Sequence, residues 1–516
     1  MVCAGGNRAW GYGRTGHQHA IIRYQGQGGR GGNRNGWFGH WLPPSTRQTP
    51  TILSHTVRKG MSFGPPLSSG ASANCGRKGD CVSLDAASVT LVDEHDGTYS
   101  RVDLPMRAFA GGFYRNLIAM YDHLGIHYHA KRFLYAFSNT ACQSTQNDEE
   151  APSSSVLPYF IHSSNNHRIF PIRPAGTDIA AHFLETACVL ACYIWFLLCC
   201  VLWIPHRSED CGTYLKRTKV PHHFVHRYLV PLMSSVATCS HEELLAFPAS
   251  DLTRYLWPRF GAGHFVVSHG VRDVVAALSL GQDIRLDSEV LLVEPSGSQM
   301  RLVWSKGEGA NQVEEAIFDR IVLAIDPHAV ARIYAPLRSI MSGIPTRRVE
   351  SAVLQREGEF TTLRVAKHPY EFNKIDTAEL DAQVADTLLL KSDFTGSGYT
   401  EALHTVSCGA IVATSISGQF DDFKVLHRAA FWRVLRTPKS REIVNTLMRK
   451  RLARPEKDQI DSYRKYVEWH NGENNVWLAG GWCWDGMVLL EGCIVSAIQV
   501  AQDFGVRTPW DCDLVD

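Results

Sequence analysis

The residues with most chemical promise stand near the C-terminal end, where residues 476–492 read VWLAGGWCWDGMVLLEG. An apolar run stops at Gly480 and Gly481, two tryptophans follow, and a second apolar segment opens at Gly486. A buried strand, a glycine turn and a helix start let a ligand approach backbone N–H groups, and the positive end of the helix favours negative charge there. A second candidate is VTLVDEHDG (89–97), a β-branched run that ends in Asp93 and Glu94. It predicts a buried parallel strand whose terminal carboxylate either meets the ribose hydroxyls of a dinucleotide or lies in a solvated acidic turn. No Ser-His-Asp set or paired carboxylates suggest a protein nucleophile or acid–base pair. The 14 cysteines include no CxxC pair, and the histidines at 127, 129, 222 and 223 lack partners at ligand spacing, so no metal is expected.

The elements that must position these residues are spread along 516 residues, enough for two domains. Apolar residues make up 45% and the net charge is +1, so no nucleic-acid partner is expected from the overall balance. No acid precedes Asp80, and arginines sit among glycines there. Residues 1–80 are predicted to be a disordered Gly/Arg-rich segment. Residues 101–126 predict a strand, a Gly-Gly turn and an amphipathic helix closed by Gly125, with Phe113, Leu117, Met120, Tyr121 and Leu124 on one face. Residues 283–297 and 317–330 predict two strands, the second stopping at Asp326-Pro327. Residues 221–258 predict helices, 405–416 a strand, and 428–451 a basic helix with a solvated charged face. Ala187 to Ile204 contains no charge and has the length of a membrane-span candidate. A single crossing would put the strands near 89–93 and 476–479 on opposite sides of a bilayer. The expectation is therefore a helix buried in the substrate domain or lying in one leaflet, with Trp195 and Trp203 at the interface and Arg207, Lys216, Arg217 and Lys219 beyond.

The succession VTLVDEHD, VDLPMRAF, SEVLLVEP, FDRIVLAIDPHAV and VWLAGGWCWDGMVLLEGCIVSAIQVA resembles the flavin-containing amine oxidase superfamily, near protoporphyrinogen oxidases and carotenoid desaturases, over about residues 86–508. The resemblance implies an α/β fold: an FAD-binding Rossmann-like domain from 86–130, 260–335 and 465–508, and a substrate domain of mixed sheet and helices from 131–259 and 336–464. It implies an FAD-dependent oxidoreductase that moves hydride from a C–N or C–C bond of an apolar or lipid-like small molecule to the flavin. Its cofactor contacts fall on Asp93 or Glu94, Asp103, Arg107, Val290, Ala479, Gly480 and Gly481, and on Gly486, Met487 and Val488 as the start of a helix aimed at the ring. Trp482 and Trp484 would border the ring or the substrate cavity. The chain departs from the pattern where a GxGxxG turn is due, offering only Gly70 and Gly76 in SSGASANCGRKG. The alternative is thus a catalytically inactive, membrane-associated member that keeps the fold without the cofactor.

Overall fold

The computed structural model describes residues 20–24, 51–54, 88–140, 157–166, 169–280, 282–285, 288–306, 312–356, 363–365, 385–416, 420, 423–448 and 469–510. Gly70, Gly76 and most of the segment expected to be disordered lie outside them.

The architecture is of the mixed α/β class expected. Its smaller sheet has five strands in the order Asp283–Arg285, Thr51–Ser54, Ala20–Tyr24, Arg320–Ala324, Val476–Leu478. The last two run parallel, Ile321 opposite Val476 and Leu323 opposite Leu478. All four of these side chains are 0% exposed, as suits a parallel pair covered on both faces. Ala20–Tyr24, by contrast, runs antiparallel to Arg320–Ala324. A three-stranded antiparallel meander, Ser288–Ser296, Gln299–Lys306 and Gln312–Phe318, leads into this sheet. The helix Leu490–Asp503 packs Val500 onto Val322, Ala324 and Trp477, and turns Ile494, Ala497 and Ile498 toward the larger core.

The larger sheet has seven strands in the order Phe423–Val434, Thr346–Arg356, Ile411–Thr414, Tyr399–Thr405, Asp386–Asp393, Phe133–Asn139, Phe160–Ser163. Only Asp386–Asp393 and Phe133–Asn139 pair in parallel. Helices between 211 and 256 pack over it, so the predicted helical stretch is present. The helix Arg115–Leu124 closes on Gly125 in the left-handed conformation (φ 67°) as its sequence required. Its N-terminus is bound by Glu491, which accepts from the backbone of Asn116 at 2.8 Å and Leu117 at 3.0 Å, joining the two ends of the sequence.

Three expectations are corrected. The strand Ser88–Asp93 is buried but not parallel: it pairs antiparallel with Tyr99–Asp103 and Leu363–Val365 in a small separate sheet. An apolar run shows that a strand is covered, not which strand lies beside it. The region 428–451 is not one basic helix, because it holds the end of the strand Phe423–Val434 and the helix Pro438–Met448. Its charge is not all solvated either, since Arg436 and Arg441 are buried. The apolar helix is longer than its uncharged stretch and spans Ile179–Leu202, capped by Asp178, whose side chain accepts from Ala181 N at 3.1 Å.

Candidate functional site

The glycine turn after Val476–Leu478 faces a cavity of about 860 Å³. That is within the range of small-molecule sites, roughly 300–1,000 Å³. Gly480, Gly481 and Trp482 form one wall with Val488, Leu489, Leu490 and Cys493 from the start of the following helix. Leu104 to Ala110 forms a second wall. The far end lies between the seven-stranded sheet and the helices, where Tyr135, Phe137, Tyr193, Tyr228 and Tyr255 make the lining aromatic and apolar.

The turn is shaped mainly by tryptophan packing. Trp482 is 4% exposed and donates through Nε1 to Ile325 O at 3.0 Å. Trp484 donates through Nε1 to Met487 O at 3.0 Å. A Cβ on Gly486 would meet the Trp484 ring at 2.6 Å, and one on Gly492 would meet Trp484 Nε1 at 2.2 Å. Both glycines make room for that indole. Gly480 has φ 150°, where a side chain is strained, and its N–H donates to Ser496 Oγ at 2.9 Å.

Behind the turn sits a charge cluster, buried at Asp251, Arg436 and Arg441 and open to solvent at Asp485. Arg436 donates to the carbonyls of Trp484 at 2.6 Å and Trp482 at 2.7 Å. Its Nε lies 3.9 Å from Asp251, and Arg441 Nε lies 4.0 Å from the same carboxylate. Arg441 also donates to Asp485 at 2.5 Å. Burial opposes ionisation of Asp485, but the hydrogen bond and charge of Arg441, with Arg254 and Arg436 beyond, hold its pKa down at about 2. Asp251, 1% exposed, is pushed above its ordinary pKa by burial despite the two arginines.

On the cavity side, Arg259 stacks over Tyr255 at 4.4 Å and donates through Nη2 to His264 Nε2 at 2.9 Å. His264 therefore accepts at that nitrogen and is the neutral imidazole. Burial, then the charge of Arg259, lowers its pKa to about 4. Burial lifts Tyr135 to about 12 and Tyr114 well above the phenol range, so both hydroxyls stay protonated at neutral pH. The lining can bind a planar or chain-like apolar group, keep water from it, and offer positive charge at one region.

Of the residues singled out in the sequence, Arg107, Gly480, Gly481, Trp482 and Val488 line this cavity. Ala479 is fully buried just behind the turn, Met487 is in the core, and Trp484 packs on Phe113 at 6.0 Å. The helix expected to open at Gly486 to Val488 opens at Leu490, and the indole of Trp484 occupies the space beside Gly486. Asp93 and Glu94 are in a hairpin turn, where Asp93 accepts from His95 N at 2.8 Å and Glu94 is exposed. Asp103 accepts from Ser88 Oγ and from Val271 N at 3.3 Å, at the start of the helix Val271–Ser279. Val290 is 1% exposed in the meander opposite Trp304. Tyr114, Tyr255, Arg259, His264 and Arg433 were not identified as site residues from the sequence. Of these, only Arg433 lay in a segment singled out for its charge.

No protein-family model matches the chain and no curated protein does. Among solved structures, a CLA-producing fatty acid isomerase from P. acnes aligns at 9% identity with a TM-score of 0.47, over 78% of this chain and 88% of that one. Cyclohexylamine oxidase from Brevibacterium oxydans IH-35A aligns at 13% identity with a TM-score of 0.43, over 82% and 92%. A redesigned putrescine oxidase aligns at 10% identity with a TM-score of 0.42, over 82% and 91%.

Proposed function

We propose that the chain is an FAD-dependent oxidoreductase acting on an apolar small molecule, with the ring end of the flavin held between the Gly480–Trp482 turn, the start of the helix Leu490–Asp503 and the segment 104–110. The observation that carries this reading is the shared cavity. A backbone turn, a helix N-terminus and an apolar, aromatic chamber of about 860 Å³ meet in one space. The order of sequence segments that resembles the amine oxidase superfamily supports it.

The described residues fit the ring end of the group and not its phosphates. A dinucleotide unit needs a first strand parallel to its neighbours and a glycine turn into a helix. Here Ala20–Tyr24 runs antiparallel to Arg320–Ala324, and no glycine-rich phosphate turn is present among the described residues. This observation favours the second reading, a member that keeps the chamber without the cofactor. When bound, a flavin supplies hydride-accepting chemistry. The chain's own residues enclose the reacting region in apolar walls, and Leu489, Leu490 and Cys493 bring the start of a helix to the chamber.

The apolar helix supports a membrane-surface location. It is anchored along its length to the folded body: Glu185 bonds His223 at 2.8 Å, Trp195 donates to Thr218 O at 3.2 Å, and Phe196 and Cys199 are fully buried. A crossing would carry those partners into the hydrocarbon. The opposite face exposes Leu184, Leu190, Leu198, Val201, Leu202 and Ile204, and Arg207, Lys216 and Lys219 are exposed just beyond. Such a face suits one leaflet of an anionic bilayer.

Purified protein, denatured and separated from polypeptide, should release flavin, and intact protein should float with vesicles of anionic phospholipid. Protein that takes up no FAD on reconstitution overturns the oxidoreductase reading in favour of the cofactor-free one. Protein that stays with the soluble fraction in the presence of vesicles overturns the membrane location.

A further inference from the structure

The cavity wall carries more positive charge than it neutralises. Arg259 makes one hydrogen bond through Nη2 to the neutral His264, while its Nε is buried with no hydrogen-bond partner among the described residues. His264 Nδ1 is buried in the same condition. Arg433 donates through Nε to Ala237 O at 2.9 Å, and no carboxylate among the described residues comes within ion-pair distance of it or of Arg259. Arg259, Arg433, Tyr114 and Tyr255 all line the same chamber. Asp326 is the acid on the lining, and its Oδ1 accepts from Ala329 N at 3.0 Å at the start of another helix. A guanidinium held in an apolar chamber without a counter-charge is costly to desolvate, and an anion that enters the chamber relieves that cost. Arginine also presents a planar fork that fits a carboxylate.

The rest of the lining excludes a small hydrophilic anion. Phe137, Phe160, Val189, Leu190, Phe224 and Leu229 add a continuous share of apolar side chains to the same lining. The exposed lining residues include Ile169, Phe170 and Leu190, 46%, 61% and 55% exposed, together with the polar His162 and Asn165. The three apolar ones belong to the apolar helix and to the segment just before it, so the chamber borders the element assigned above to the bilayer.

We propose that the chamber takes an amphiphilic carboxylic acid with a long hydrocarbon chain, its carboxylate bound by Arg259 and Arg433 and its chain lying along the apolar lining that borders the apolar helix. Entry from the membrane plane lets the chain leave lipid without crossing water. The inference rests on the reading above in taking this chamber as the substrate site, and it names the substrate class for that site.

The test is equilibrium binding of oleate and methyl oleate to delipidated, folded protein, with flavin content measured on the same samples. Oleate should bind at least about tenfold more tightly than its ester, the effect of one charge-assisted interaction of about 1.5–3 kcal/mol. Arg259→Met and Arg433→Met should each bring oleate affinity toward that of the ester while ester binding holds. Arg433→Lys should retain part of the preference because it keeps the charge. Equal affinities for acid and ester in the wild type overturn the proposal. So do arginine variants, folded by circular dichroism, that weaken acid and ester alike. Preferential oleate binding by protein that takes up no FAD on reconstitution leaves this inference standing and removes the oxidoreductase reading. Flavin-loaded protein without acid preference does the reverse.

Discussion

Replacing Arg436 with Met asks whether the glycine and tryptophan turn is held from behind by a buried charge. The guanidinium is 2% exposed, donates to two carbonyls of the turn, and lies beside a carboxylate that is 1% exposed. Methionine fills much of the space of the stem, so the loss is electrostatic rather than a cavity. Breaking a buried pair by removing one partner costs about 3–5 kcal/mol, because the remaining charge is left uncompensated. Arg441 stays 4.0 Å from Asp251 and keeps part of the compensation, which sets the expectation at about 3 kcal/mol. Urea unfolding followed by tryptophan fluorescence measures it. The pH dependence has a definite sign. Burial already raises the Asp251 pKa above its ordinary value, and removing Arg436 raises it further. Folding then takes up a proton between the unfolded and folded values, so the deficit of the variant is complete above the raised pKa and shrinks as pH falls through it. Adding Asp251→Asn should recover about 1–2 kcal/mol at neutral pH, as expected for two residues in one network. A loss under about 1 kcal/mol for Arg436→Met, or a double variant no better than the single one, would refute the reasoning.

Gly492→Ala places a Cβ 2.2 Å from Trp484 Nε1 and 2.7 Å from Gly481 O, so the indole must give up its bond to Met487. The expected cost is about 1–3 kcal/mol with a shifted tryptophan emission, and wild-type stability and emission would contradict the packing role. On the apolar helix, Leu198→Ser with Val201→Ser removes exposed side chains and should release folded protein from anionic vesicles. Phe196→Ser with Leu197→Ser removes buried ones and should cost several kcal/mol, about 3–5 for the aromatic residue alone. Equal stability of the two double variants would show that the helix has no inner and outer face.

What the sequence made legible was local. The helix Arg115–Leu124, its Gly125 stop, the strands ending near Ala324 and Leu478 and the C-terminal helix all follow from periodicity and stop signals within a few residues of one another. Pairing was less accessible, because Ser88–Asp93 finds its partner Leu363–Val365 far along the chain. Gly486 looked like a place for a ligand and is, together with Gly492, a place for an indole, a choice that depends on where Trp484 turns. The arginines between 428 and 451 looked like surface charge because nothing local distinguishes a buried guanidinium. Arg436 is buried only because the turn after residue 480 folds back over it, and Arg433 faces the chamber only because helices from 193 to 259 close it.

The seven-stranded sheet also bears on how the chain is made. Phe133–Asn139 cannot pair with Asp386–Asp393 until the latter has been synthesised. The helix Ile179–Leu202 emerges between them. Its nearest partners, around Thr218 and Tyr228, follow soon after, so its inner face is covered early. Its outer face meets no partner among the described residues, so it stays uncovered while the second half of the sheet is still being translated. At about 5–20 residues per second that interval lasts roughly tens of seconds. During it the nascent chain offers a long apolar surface beside an unpaired strand edge, two features that favour self-association. Yield of native protein should therefore depend on what the ribosome's surroundings provide in that interval, and supplying phospholipid vesicles during cell-free synthesis should raise the folded fraction more than adding them afterwards.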